Sequence, residues 1–256
     1  MTFRSSVPRF LVSVLLIAVA LLAGGCVYLR LLELRNQLAD FDKNFAVNTA
    51  DGIHLIFRHP MLLGDDLRWL GAEPQEIQQR GDDEESWHVR WVKQTKPGVE
   101  ESSEHDVELF AELRDHELQS LRIPERYFEF FPKSLFVDLL RSTGKAHINK
   151  ESRQAEVSTA DEVSTNNQPI AVPELDSIEK LLGEPTDKTT GPSGLVRYRY
   201  RYQAQIPSGK GKFIEATFFF DPASGQLRRL IGKLPKGTMS FNFPAAKDAG
   251  QKTGQK

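Results

Sequence analysis

With a single cysteine, Cys26, no disulfide can form within the chain, so its fold has to be held by packing. Charge excess of either sign is also missing: 33 Lys and Arg stand against 35 Asp and Glu, a net charge of -2. A nucleic-acid binder normally needs a basic surplus, and none is expected here. Outside residues 10–29 no long apolar run occurs, and 27% charged residues mark the bulk of the chain as soluble. Catalytic signatures are lacking too. His54, His59, His88, His105, His116 and His147 show no i, i+4 or Cys-paired spacing that would hold zinc. No Gly-x-Ser-x-Gly elbow presents a nucleophile, and Gly209-Lys210-Gly211-Lys212 lacks the spacing of a phosphate loop. The run Asp82 to Glu85 reads as a solvated loop. The sequence therefore assigns no catalytic, cofactor-binding or metal-binding residue, and the expectation is a protein that is not an enzyme and needs no cofactor.

What the chain does have is a stretch that occurs twice. A short helix ends in Leu70-Gly71-Ala72-Glu73-Pro74 and leads to a strand with Trp87, Val89 and Trp91. A second ends in Leu182-Gly183-Glu184-Pro185 and leads to Tyr198, Tyr200 and Tyr202. Pro74 to Pro185, Trp87 to Tyr198, Trp91 to Tyr202 and Pro124 to Pro235 are all separated by 111 residues. This register predicts an α+β fold of two tandem modules, residues 26–126 and 127–236, each with two helices packed on a three- to four-stranded antiparallel sheet. In the first, Tyr28 to about Phe45 is an amphipathic helix, Ile53 to Phe57 a strand, and Gly64 to Gly71 the short helix. Gln75 to Ser86 reads as a polar loop before the strands Trp87–Gln94, Val107–Asp115 and Leu118–Ile123. In the second, a helix entered at Pro132 ends at Gly144, and the short helix precedes a meander over 195–205, 213–220 and 226–234. Ser158 to Gln168 is expected to be a loop, and residues 237–256 a disordered tail.

On the second meander's first strand, alternation sets Tyr198, Tyr200 and Tyr202 opposite Arg197, Arg199 and Arg201. The tyrosines and Trp87 and Trp91 are expected to be core. The three arginines are the candidate partner-binding residues, since a guanidinium suits an anionic surface.

The N-terminus decides the address. Residues 1–25 carry Arg4 and Arg9, then the apolar run Phe10 to Ala23, then small residues before Cys26. Leu22-Ala23-Gly24-Gly25-Cys26 resembles the bacterial lipobox, which implies a cleaved lipoprotein signal and a Cys26 carrying acyl chains of the palmitate kind. The alternative is an uncleaved anchor helix, because Phe10 to Leu29 is 20 residues without a charge. Either tether leaves the folded part outside the cytoplasm, facing the periplasm. Val27 after the cysteine implies, by the same resemblance, the outer rather than the inner membrane.

The order of helix, short helix ending in Leu-Leu-Gly-Glu-Pro, and strands with Phe218-Phe219-Phe220-Asp221-Pro222-Ala223-Ser224-Gly225-Gln226-Leu227 at a hairpin resembles the SmpA/OmlA (BamE-like) family of outer-membrane lipoproteins. The resemblance covers Ser177 to Leu230 and reaches the first copy through the repeat. It implies a scaffold or assembly factor acting through protein contacts in outer-membrane protein assembly or envelope maintenance. A tandem of such modules is also similar to the β-lactamase-inhibitor proteins, which implies as the alternative an inhibitor of an envelope enzyme. Protein isolated from membranes should have an intact mass lacking residues 1–25 and carrying acyl chains, and Cys26→Ala should keep the full-length, unacylated mass. A full-length, unmodified wild-type chain would leave only the anchor helix.

Overall fold

The computed structural model describes residues 27–96, 99–100, 103–129, 131–149, 154–158 and 172–243. A helix over residues 27–39 (α1) is followed by one turn, α2 (Phe41–Asn44), the strands β1 (Phe45–Asn48) and β2 (Ile53–Phe57), and the short helix α3 (Gly64–Leu70). Then come β3 (Pro74–Gln79), β4 (Glu84–Lys96), β5 (Val99–Glu100), β6 (Val107–Arg114) and β7 (Glu117–Ile123). The second half contains α4 (Lys133–Gly144), β8 (His147–Asn149), β9 (Gln154–Ser158) and the second short helix, α5 (Leu175–Leu182). It ends with β10 (Asp187–Thr190), β11 (Val196–Ile206), β12 (Gly209–Phe220), β13 (Leu227–Leu234) and β14 (Gly237–Asn242).

These strands do not form two small antiparallel sheets, and the expected fold class is corrected here. They form one sheet of 14 strands in the order β1-β2-β7-β6-β4-β11-β12-β13-β14-β9-β8, with β3 and β5 on β4 and β10 on β11. The sheet is mixed, because β9 runs parallel to β14. The joint is the antiparallel pairing of β4 with β11, in which Val92 lies opposite Gln203 and Trp91 opposite Ala204. Val92 and Gln203 are themselves 111 residues apart, and the pair Trp91 and Ala204 maps under the same shift onto the pair Tyr202 and Lys93. Equivalent strands thus meet about a local pseudo-two-fold axis between Val92 and Gln203. β3 and β10 occupy matching places, each on the edge of its long strand beside the joint.

Three further expectations are corrected. The polar segment after Pro74 is β3, a strand whose last four residues, Glu76 to Gln79, are exposed. Residues 237–242 are β14, not tail. The amphipathic helix from Tyr28 breaks at Asp40, and Phe45 already belongs to β1. Strand β2, helices α4 and α5 and the meander lie where their patterns predict them. The expected boundary at 126/127 falls in a 3-10 turn, Glu125–Phe128. The expected loop 158–168 and tail 243–256 fall mainly outside the described residues.

Alternation along the two long strands sends Trp87, Val89, Trp91, Tyr198, Tyr200 and Tyr202 to one face, where all are buried. The helices pack on that face. Leu38, Phe41 and Leu67 join Trp87, Leu113 and Leu118 in one cluster, and Leu135, Leu139, Ile178 and Leu182 join the tyrosines in the other. Helix α4 belongs to both, with Leu135 and Leu139 in the second and Val137 and Leu140 against the first. Its last residue explains how it comes so near α1: a Cβ on Gly144 would lie 2.1 Å from the Ala39 nitrogen.

Caps and ion pairs fix the short helices. Asp66, fully buried, accepts the Leu63 N–H at 2.9 Å and both Arg30 donors at 2.6 and 2.7 Å, binding α1 to α3. Gly71 ends α3 at φ +106°, a conformation that a side chain would strain. Across the joint the two helix ends make reciprocal contacts. Lys212 Nζ donates to the Arg68 carbonyl and pairs with Glu73, while Thr186 Oγ1 donates to the Gln94 carbonyl at 2.6 Å and the His105 ring lies against the Leu181 carbonyl. Gly144→Ala should lower stability by about 3 kcal/mol, a fall in Tm of roughly 5–10 °C for a chain of this size. Gly232→Ala, whose Cβ meets nothing within 4 Å, should leave the melting curve in place.

Candidate functional site

Because all the described helices lie on one side, the other side of the sheet is left to the alternate residues of the strands. From β11 these are Arg197, Arg199 and Arg201. The register puts Phe219, Thr217 and Glu215 of β12 opposite them, and Arg229, Ile231 and Lys233 of β13 opposite those. All three predicted arginines are thus brought together on the helix-free face. Arg197 and Arg199 are 40 and 43% exposed and reach the same Asp187 oxygen at 3.0 and 3.8 Å, so one carboxylate serves two guanidiniums. Arg201 lies over the Phe213 ring at 3.9 Å from its centroid, and Phe213 is itself 39% exposed. Arg229 donates to Ser240 Oγ at 2.9 Å. Over β11, β12 and β13 this face carries Arg197, Arg199, Arg201, Arg229 and Lys233 against Glu215 alone.

The first half of the same face is balanced. Register sets Phe110 between His88 and Arg122, and the three stack: the imidazole lies 4.7 Å from the Phe110 centroid and the guanidinium 4.2 Å. Arg90 pairs with Asp106 and Arg114 with Glu84, while Glu108 lies by His88 and Arg126 and Glu112 accepts from Ser86. An open groove of about 360 Å³ lies there, lined by His54, Arg80, Phe110, Glu112 and Arg122 among others. Tyr127 extends the ladder past the end of β7, accepting the Glu108 N–H at 2.7 Å and donating to the Asp106 carbonyl at 2.9 Å. Burial pushes its phenol above the ordinary value, which keeps that proton in place across the physiological range.

Sequence reasoning singled out the three arginines and did not place the rest of this face. The signal for part of it was available. Under the 111-residue shift Ser86, His88 and Arg90 are the counterparts of Arg197, Arg199 and Arg201, so the first half of the face follows from the second. Phe213, Phe219 and Ile231 needed the cross-strand register. Cys26, the predicted lipidation site, and the signal or anchor segment lie outside the described residues. Among the described residues no three His, Cys, Asp or Glu side chains are grouped to hold a metal ion, and no helix is long and apolar enough to cross a membrane.

Comparison of the chain with family models, with curated proteins and with solved structures gives no match.

The arginine ladder is a surface feature and not a strut. Each of Arg197 and Arg199 is well exposed and shares one half-exposed partner, so its contribution is at most about 0.5–1 kcal/mol. The triple change Arg197→Gln, Arg199→Gln and Arg201→Gln should therefore shift Tm by only a few degrees. A collapse of the fold would show the ladder to be structural.

Proposed function

We propose that this chain is a membrane-tethered, non-catalytic scaffold or assembly factor of the bacterial envelope, and that the helix-free sheet face binds an acidic surface on a protein partner. One observation carries the reading: five cations and three large apolar side chains, Phe213, Phe219 and Ile231, share the face of β11 to β13 with a single carboxylate on those strands. Apolar area supplies affinity only where water is displaced, while the guanidiniums select and orient an anionic partner. Arg is suited to this because its fork meets a carboxylate with two hydrogen bonds. The lipobox-like sequence at Cys26 supports the tether and a periplasm-facing, outer-membrane location. The Leu-Leu-Gly-Glu-Pro helix end and the Phe-Phe-Phe-Asp-Pro hairpin support kinship with the SmpA/OmlA family.

A photo-crosslinker in place of Thr217, which lies between Arg199 and Ile231, tests the face in intact cells. It should give a discrete adduct that disappears when Arg197, Arg199 and Arg201 are changed to Glu, whereas a crosslinker at exposed Ser134 on α4 should not give that adduct. An adduct indifferent to the charge reversal, or formed equally from Ser134, would remove the sheet face from the proposal.

A further inference from the structure

The first turns of α1 are apolar on the side that looks away from the sheet. Tyr28, Leu29 and Leu32 are 61, 64 and 49% exposed, while Leu31, Leu34 and Leu38 of the same helix pack on the core. An amphipathic helix that only covers a sheet turns polar residues outward, as this one does from Glu33 and Asn36 onward. Its beginning does the opposite. Trp69 of α3 stands edge-on to Tyr28 at 5.5 Å between centroids, and the Lys236 ammonium lies 5.6 Å from the Trp69 ring. Lys236 belongs to the β13–β14 turn, whose Pro235 abuts Gly71 and which follows Leu234, the last residue of β13 and 38% exposed. The Arg30 to Asp66 pair holds α1 against α3, so these side chains form one preformed surface drawn from three elements.

Sequence continuity says what covers it. Tyr28 and Leu29 are the last residues of the uncharged run that starts at Phe10, so the segment read as the membrane tether ends on this surface. The composition fits a bilayer interface better than a protein pocket. Tyr and Trp rings concentrate at the headgroup level, and a lysine can lay its stem on apolar surface while its ammonium meets phosphate. Carboxylates do occur near it. Asp66 is buried with Arg30, Asp65 pairs with Arg68 and Glu73 with Lys212, leaving Glu33 at the rim.

We propose that this surface is a lipid seat: Tyr28, Leu29, Leu32, Trp69 and Leu234 enter the interfacial layer of the membrane that holds the N-terminus, with Lys236 at the phosphates. The inference rests on the tether. It adds that the folded part is docked on the bilayer by its own residues, not hung from it, with the β13–β14 turn at the lipid.

The full chain reconstituted into phosphatidylethanolamine and phosphatidylglycerol vesicles with brominated acyl chains tests both points. Of the three tryptophans, Trp87 and Trp91 are 1 and 8% exposed in the core, so only Trp69 can come near bromine. Bromine near the carbonyl end of the chains should quench roughly a third of the tryptophan emission, and Trp69→Phe should abolish that quenching. Tyr28→Ser with Leu29→Ser and Leu32→Ser should also abolish it while the protein still floats with the vesicles. If that variant misfolds, the Trp69→Phe comparison decides alone. A chain that floats without quenching overturns the seat and leaves the tether standing. A chain that does not float at all overturns the tether, and the seat with it.

Discussion

Four backbone pairings between β4 and β11 are the constraint on which the rest of the molecule depends. Two copies of a small α+β unit, standing apart, would each leave the outer edge of a long strand unpaired, and an open edge invites association with any other strand. Pairing the equivalent strands antiparallel, centred on Val92 and Gln203, closes both edges at once. It also makes the rest obligatory. A continuous sheet has one alternation, so the tryptophans of the first half and the tyrosines of the second must share a face, and the helices of both halves must gather there. Helix α4, whose leucines serve both clusters, then has only one place to lie.

The same alternation creates the helix-free face for which a partner is proposed. Once the aromatic residues of β4 and β11 are committed to the core, residues 86, 88 and 90 of one strand and 197, 199 and 201 of the other are committed to water. In the first half Arg90 is neutralised by Asp106, just before β6, whereas in the second β12 offers Phe213, Thr217 and Phe219 with the one carboxylate Glu215 in the corresponding row. The asymmetry between the halves is therefore chemical as well as topological. Large apolar rings set among guanidiniums on an uncovered sheet are not needed by the fold, which already has its core on the other side.

Many single elements were legible in the sequence, while their union into one sheet was not, and the parts that escaped have a common cause. Strands β4, β11 and β12 announce themselves because one face must be buried, which imposes a period of two. The short helices are marked by Gly71 and Gly183 at their ends and by Asp66 at the start of the first. Strand β3 escaped because its exposed residues, Glu76 to Gln79, carry no apolar alternation, and it is held by backbone hydrogen bonds to β4. Strand β14 escaped for a similar reason: of Gly237 to Asn242 only Ser240 is buried, and its two large apolar residues, Met239 and Phe241, make too short an alternation to stand out. The joint itself is a matter of backbone pairing between residues more than a hundred apart. Its trace was the 111-residue register together with Lys93 and Gln94, polar residues next to Trp91 and Val92 that are nearly inaccessible to solvent.

Pro124 and Pro235 show how one repeated residue can lead to two outcomes. Both follow the last strand of the shared meander, β7 and β13. After Pro124 the chain passes through a 3-10 turn into α4, while after Pro235 it turns back as β14. The added strand slots between β13 and β9 without changing how β9 runs relative to the meander, so β9, which is antiparallel to β13 in direction as β2 is to β7, becomes parallel to its new neighbour. That single insertion makes the sheet mixed and breaks the equivalence of the halves. It also forms the turn that brings Pro235 against Gly71 and Lys236 over Trp69, beside the first turns of α1. The departure from the repeat thus lies at the point where the apolar N-terminal sequence joins the fold, and there the second half completes a surface that the first half alone would leave unfinished.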